Sequence, residues 1–180
     1  MSEKQDILYY IENNKYDYVE MSHRIHERPE LGNEEIFASR TLIDSLKANG
    51  FEIETDIVGH ATGFIARYES NKEGPAIGFL AEYDSLPGLG HACGHNIIGT
   101  ASTLGGIALK QVIDDIGGSV VVLGCPAEEG GENGSAKASY VKAGIIDEID
   151  IALMVHPGNE TYKTINTLAV SYTHLTLPTT

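Results

Sequence analysis

Apolar residues recur along the first fifty positions with helical spacing. Ile7, Tyr10 and Ile11, then Tyr18, Met21 and Ile25, fall on one side of a helix that Pro29 interrupts. A second helix is predicted after Asn33, with Ile36, Ile43 and Leu46 on one face and Gly50 closing it. The period then shortens: FEIETDI, GFIARYE and AIGFLAEYD read as β-strands. Residues 96 to 113 return to a helical stripe through Ile97, Ala101, Leu104 and Ala108. SVVVLGC is uninterrupted, apolar and β-branched, which suits a strand buried on both faces. A helix from about Ser135 to Ala143 and the strand IALMV complete the order. Strands alternating with helices favour an α/β sandwich over an all-helical or all-β domain.

Composition narrows the classes of function. At 180 residues and 42% hydrophobic, the chain can bury one ordinary core. A net charge of -14 argues against nucleic-acid partners, which need clustered Lys and Arg. No apolar run is long enough to span a bilayer, and MSEKQDILYY lacks a basic-then-apolar signal pattern. The expected location is therefore cytoplasmic, with Cys93 and Cys125 as thiols rather than a disulfide.

Three apolar strands run directly into reactive residues. AIGFLAEYD leads into LPGLGHACGHN, which carries His91, Cys93 and His95; SVVVLGC leads into PAEEGGENG, with Glu128 and Glu129 adjacent; IALMV leads into His156. In open α/β sheets ligands gather at the carboxyl ends of strands, so these sites are expected to converge. Cys, His, Glu and His form a set suited to Zn²⁺ or a similar divalent ion. Successive residues at a strand end point in different directions, so one glutamate of the pair can hold metal while its neighbour reaches water. Asp84 is a candidate to brace a ligating imidazole, or simply to cap the turn. His91 reads as a loop-shaping hydrogen-bond group, Cys125 as structural, and His23, His26 and His60 as core or surface residues. Gly88-Leu89-Gly90 with Gly94 departs by one residue from a dinucleotide fingerprint. A cysteine nucleophile at Cys93 would need a third group to orient His95.

EYDSLPGLGHACGHN, GCPAEEGGENGSAK and MVHPG, preceded by IHERPELGNEE, together resemble the amidohydrolase branch of the M-twenty metallopeptidase family, in its aminobenzoyl-glutamate hydrolase and dipeptidase form. The resemblance runs from about Ser22 to His156. It implies a zinc-exopeptidase-like catalytic domain, here incomplete: α/β, with a mixed, mostly parallel sheet flanked by helices. It implies two divalent metal ions, Zn or Mn, with Cys93, His95, Glu129 and His156 as ligands. Glu128 matches the family's general base, which takes a proton from the attacking water and hands it to the leaving amine. The implied substrate is the amide or dipeptide bond of an N-acyl amino acid or dipeptide, and the implied assembly a homodimer through a lid domain.

The lid and the family's final histidine ligand would both follow Leu168. Residues 1–168 are accordingly expected to be the N-terminal part of the catalytic domain. In residues 169–180, the stretch Val170–Thr179 is what a sequencing-library adapter of the transposase-end type would encode, so this tail is expected to be non-native and its His174 is no ligand. The 180-residue chain by itself is expected to have little or no activity. The rivals are a non-catalytic, zinc-stabilised binding module and a cysteine hydrolase.

Overall fold

The structure, a computed structural model, describes residues 2–131, 133–158 and 161. The tail read as adapter-derived lies outside the described residues. Two helices, α1 (Glu3–His26) and α2 (Ile36–Ala48), come first. The turn between them is fixed by Glu30. Its carboxylate accepts from the first-turn amides of Phe37 and Ala38, both at 2.9 Å, supplying partners and negative charge where a helix N-terminus lacks them.

Five strands follow: β1 (Glu52–Ile57), β2 (His60–Glu69), β3 (Ala76–Ala81), β4 (Ser119–Gly124) and β5 (Ile151–Leu153). They form one sheet in the order β1-β2-β4-β3-β5. β3, β4 and β5 pair in parallel, and β2 runs antiparallel to both β1 and β4. Four strands thus point one way and β2 alone is reversed. The helix α3 (His95–Ile116) is the crossover between β3 and β4, and α4 (Ala136–Lys142) follows β4.

β4 lies centrally, and its side chains alternate between two apolar layers. Val120 and Val122 join Leu42, Leu46, Phe64, Ile107 and Ile113 on the face covered by α1, α2 and α3. Val121 and Leu123 join Ile57, Ile65, Ala136 and Tyr140 on the other. Burial on both faces is what its unbroken β-branched run requires.

Some sequence expectations shift. In α2 the buried face carries Ala38, Leu42 and Leu46, while Ile36 is 68% exposed at the helix start. α3 packs against both α1 and the sheet, so it is buried on more than one side; Ile98 and Ile107 are buried while Ile97 is 48% exposed. β3 ends at Ala81, releasing Glu82, Tyr83 and Asp84 from the strand. In IALMV only Ile151–Leu153 pair, at the sheet edge. All three residues are exposed, because among the described residues no layer covers them.

α3 approaches the end of β3 closely because of a glycine. A Cβ built on Gly99 would stand 2.7 Å from the Glu82 carbonyl oxygen and 3.1 Å from Leu42. Gly99→Ala gains about 1 kcal/mol of helix propensity, but overpacking of this kind costs about 1–3 kcal/mol. A net loss of stability is expected in urea unfolding; a variant more stable than the parent would show that this approach is not a constraint.

Candidate metal centre

Ala81 and Gly124, the last residues of β3 and β4, face each other across the parallel pair. The chain segments leaving them, Glu82–Asp84 and Cys125–Glu129, therefore emerge side by side. Gly94 adds the third segment: its φ of +78° turns the chain into α3, with Cys93 before it and His95 as the first helical residue. A Cβ there would meet Pro157 at 2.7 Å, which makes glycine a packing requirement as well as a conformational one.

His95 is 1% exposed, and Asp84 beside it is also buried. The Nδ1 atom of His95 lies 2.7 Å from Asp84 Oδ1. The second oxygen of Asp84 accepts from the Glu129 backbone amide at 2.9 Å. A carboxylate can only accept here, so Nδ1 carries a hydrogen, and the ring in its neutral form presents a lone pair at Nε2. That lone pair faces three carboxylate oxygens, of Glu82 at 3.3 Å, Glu129 at 3.7 Å and Glu128 at 3.8 Å. Neither Nε2 nor the near oxygen of Glu82 has a hydrogen-bond partner, though both are buried. Acceptors aimed at one another in a dry site repel unless positive charge lies between them. Burial pulls the His95 pKa down, yet the hydrogen bond and charge of Asp84, joined by Glu82 and Glu129, carry it above its ordinary value. The residues present therefore suit a cation at Nε2.

The donor atoms fall into two groups that share His95. Cys93, His95 and Glu129 form one and Glu82, His95 and His156 the other, with the atoms of each within 4.8 Å of one another. The other three ligand positions expected from the sequence thus all adjoin His95, but Cys93 and His156 stand in different groups. His156 is exposed at the rim, its ring edge-on to His95 with centroids 6.2 Å apart. Burial, followed by the hydrogen bond to Glu129 and the charges of Glu129, Glu128 and Asp84, pushes the Cys93 thiol up to about 12. This is the reverse of an activated nucleophile, which counts against a cysteine hydrolase.

Glu128 is half-buried, and burial together with the charge of Glu82 raises its carboxyl above the usual range. One of its oxygens faces His95 and the other lies 3.7 Å from the Lys137 ammonium. A cleft of about 550 Å³, lined by His91, Cys93, Ile97, His156 and neighbours, opens onto the centre.

Three contributors were not assigned from the sequence. Glu82 belongs to the acidic tripeptide after β3, and only its burial distinguishes it. Lys137, on α4, contacts the remaining Glu82 oxygen across 55 residues of chain. Glu35 is fully buried, accepting from Thr62 Oγ1 at 2.7 Å and from the Ala127 amide at 2.9 Å, one residue before Glu128. His91, expected to shape the loop by hydrogen bonding, is buried with neither ring nitrogen in good hydrogen-bond geometry. Its polar contact is the Ile25 backbone, and its ring packs 6.1 Å from that of His26. His60 is a satisfied core histidine, bonded to Asn33 and Ser139 at 2.9 Å each.

No family model matches the chain. It is 34% identical over 166 residues to a p-aminobenzoyl-glutamate hydrolase polypeptide of Escherichia coli K12, a match covering 82% of this chain. Among solved structures, a methicillin-resistant Staphylococcus aureus protein assigned as an aminohydrolase superposes with TM-score 0.71 at 29% identity, over 84% of this chain and 42% of that one. The chain is M-twenty amidohydrolase-like. A Bacillus subtilis dinuclear metal binding peptidase from the M-twenty family shares the fold of this M-twenty-like chain, with TM-score 0.60 at 24% identity over 76% of this chain and 41% of that one. The chain spans 34% of the length of its E. coli relative.

In the cation-free protein, alkylation by iodoacetamide reports on Cys93, since Cys125 is fully buried. With the thiol raised to about 12, the rate is expected to climb about tenfold per pH unit across neutral and mildly alkaline solution. A plateau near pH 9, where an ordinary thiol is ionised, would contradict the described environment.

Proposed function

We propose that the whole protein to which this chain belongs is a metal-dependent amidohydrolase or peptidase, cleaving the amide or dipeptide bond of an N-acyl amino acid or dipeptide. The observation that carries this reading is the meeting of Cys93, His95 and Glu129 with a further carboxylate, Glu128, that the metal set leaves over. A structural zinc site uses all its positions for protein ligands, whereas a hydrolytic one keeps a base beside them. The relatives named above are hydrolases and peptidases, which supports the same class.

Two divalent ions, Zn or Mn, belong to this proposal, with Cys93, His95, Glu129 and His156 as the residues that hold them. Bound there, such ions supply Lewis acidity, polarising the scissile carbonyl and acidifying water. Asp84 keeps the His95 lone pair directed at the centre, and its grip on the Glu129 amide fixes the loop that carries both glutamates. Glu128 accepts a proton from the attacking water and delivers it to the departing amine. Its raised pKa brings the carboxyl closer to neutrality, where giving and taking a proton are balanced. The Lys137 ammonium faces the opposite oxygen and restrains the carboxylate's swing. The cleft beside Cys93 and His156 has room for a small substrate. A homodimer of the whole protein and a cytoplasmic location, with both cysteines as thiols, complete the proposal.

In the whole protein Glu128→Gln is expected to lower kcat by about 10²–10⁴-fold while cation binding, read by calorimetry, stays intact. Unchanged function in that variant would favour the zinc-stabilised binding module instead.

A further inference from the structure

Glu82 has an unusual distribution of partners. Its side chain is 1% exposed; one oxygen is in contact with the Lys137 ammonium, and the other has no hydrogen-bond partner. The unpartnered oxygen lies 3.3 Å from the equally unpartnered Nε2 of His95. Glu82 also falls within the Glu82, His95 and His156 group, whose donor atoms lie within 4.8 Å of one another.

A buried ion pair that served packing alone would have both carboxylate oxygens satisfied, because a desolvated, unpaired acceptor is unfavourable. Here the pairing is one-sided. Lys137 secures one oxygen from α4, and the other is left directed at the ring lone pair that Asp84 holds in place. We propose that Glu82 is a further metal ligand: it binds through the oxygen that faces His95 Nε2, while Lys137 holds the other. This rests on the metal-centre reading above and enlarges its ligand set. The centre then gathers donors from the ends of β3, β4 and β5 and from the start of α3. Lys137 becomes a positioning residue, offsetting part of the charge of Glu82, Asp84, Glu128 and Glu129.

The two roles available to the Glu82–Lys137 pair make opposite statements about cation affinity. If Glu82 is a ligand, its neutral isostere loses a donor, while loss of the lysine removes a positive charge from beside the ion. If the pair is only structural, either change lowers stability and leaves affinity alone.

The experiment titrates this 180-residue chain with Co²⁺, following heat and the thiolate-to-cobalt charge-transfer band that reports Cys93, with circular dichroism to confirm the fold. Glu82→Gln is expected to weaken Co²⁺ binding at least about tenfold and to keep the charge-transfer band. Lys137→Met is expected to bind Co²⁺ more tightly than the parent chain. Undiminished affinity in a folded Glu82→Gln variant overturns the inference, and so does binding no tighter than the parent's in Lys137→Met; if the glutamine variant does not fold, the lysine variant decides alone. Should the parent chain give no cobalt complex at all, the metal-centre reading falls and takes this inference with it. Binding by the parent that Glu82→Gln leaves unchanged removes only the inference.

Discussion

Asp84 accepts from His95 Nδ1 with one oxygen and from the Glu129 backbone amide with the other, at 2.7 and 2.9 Å. The first bond decides which ring nitrogen carries the hydrogen, and so where the lone pair points. The second ties the chain leaving β4 to the chain leaving β3. With Asp84 buried, both bonds act in a medium of low polarizability, where a charged acceptor is strongly directional. A metal-ligating histidine commonly gives its other N–H to a carboxylate in this way. Without Asp84, His95 could present either nitrogen, and Glu129 would lose the anchor that sets its distance from the ring.

The fold supplies a frame stiff enough to keep that arrangement. Thr62 on β2 is a junction: its carbonyl accepts from Ser39 Oγ and Tyr83 Oη, each at 2.7 Å, and its hydroxyl donates to Glu35. Glu35 in turn accepts from the Ala127 amide, and Ala127 sits at φ +56°, a conformation a side chain rarely adopts. α2, β2, the segment after β3 and the loop after β4 are thus joined by buried hydrogen bonds just behind the site. The two glutamates that follow both face His95, and Glu128 also faces the lysine.

The sequence carried much of this. β4 was readable because residues 120–123 are all β-branched or leucine and buried on both faces, and the three strand-end clusters were readable because an apolar run stops abruptly at polar residues. Asp84, Cys93, Glu128, Glu129 and His156 all come together beside His95, as convergence of parallel strand ends requires. Glu82 and Lys137 were not readable. Each resembles an ordinary surface charge, and what distinguishes them, a contact made across 55 residues between a buried carboxylate and a half-buried ammonium, exists only once the chain has folded. Ile36 misled for the opposite reason: helical periodicity places it on the apolar face, but it precedes the turn where α2 first meets the sheet. β5 was readable as a strand from its apolar run, but its exposure was not, since that depends on what lies over a sheet edge rather than on its own residues.

If Asp84 holds His95 so that Nε2 receives a cation among converging carboxylates, a crystal of this chain grown with Zn²⁺ will show it by anomalous scattering. A zinc peak is expected about 2.0–2.1 Å from His95 Nε2, with Nδ1 still on Asp84. A peak on Nδ1, or zinc found only on other side chains with the His95 ring left bare, would contradict it.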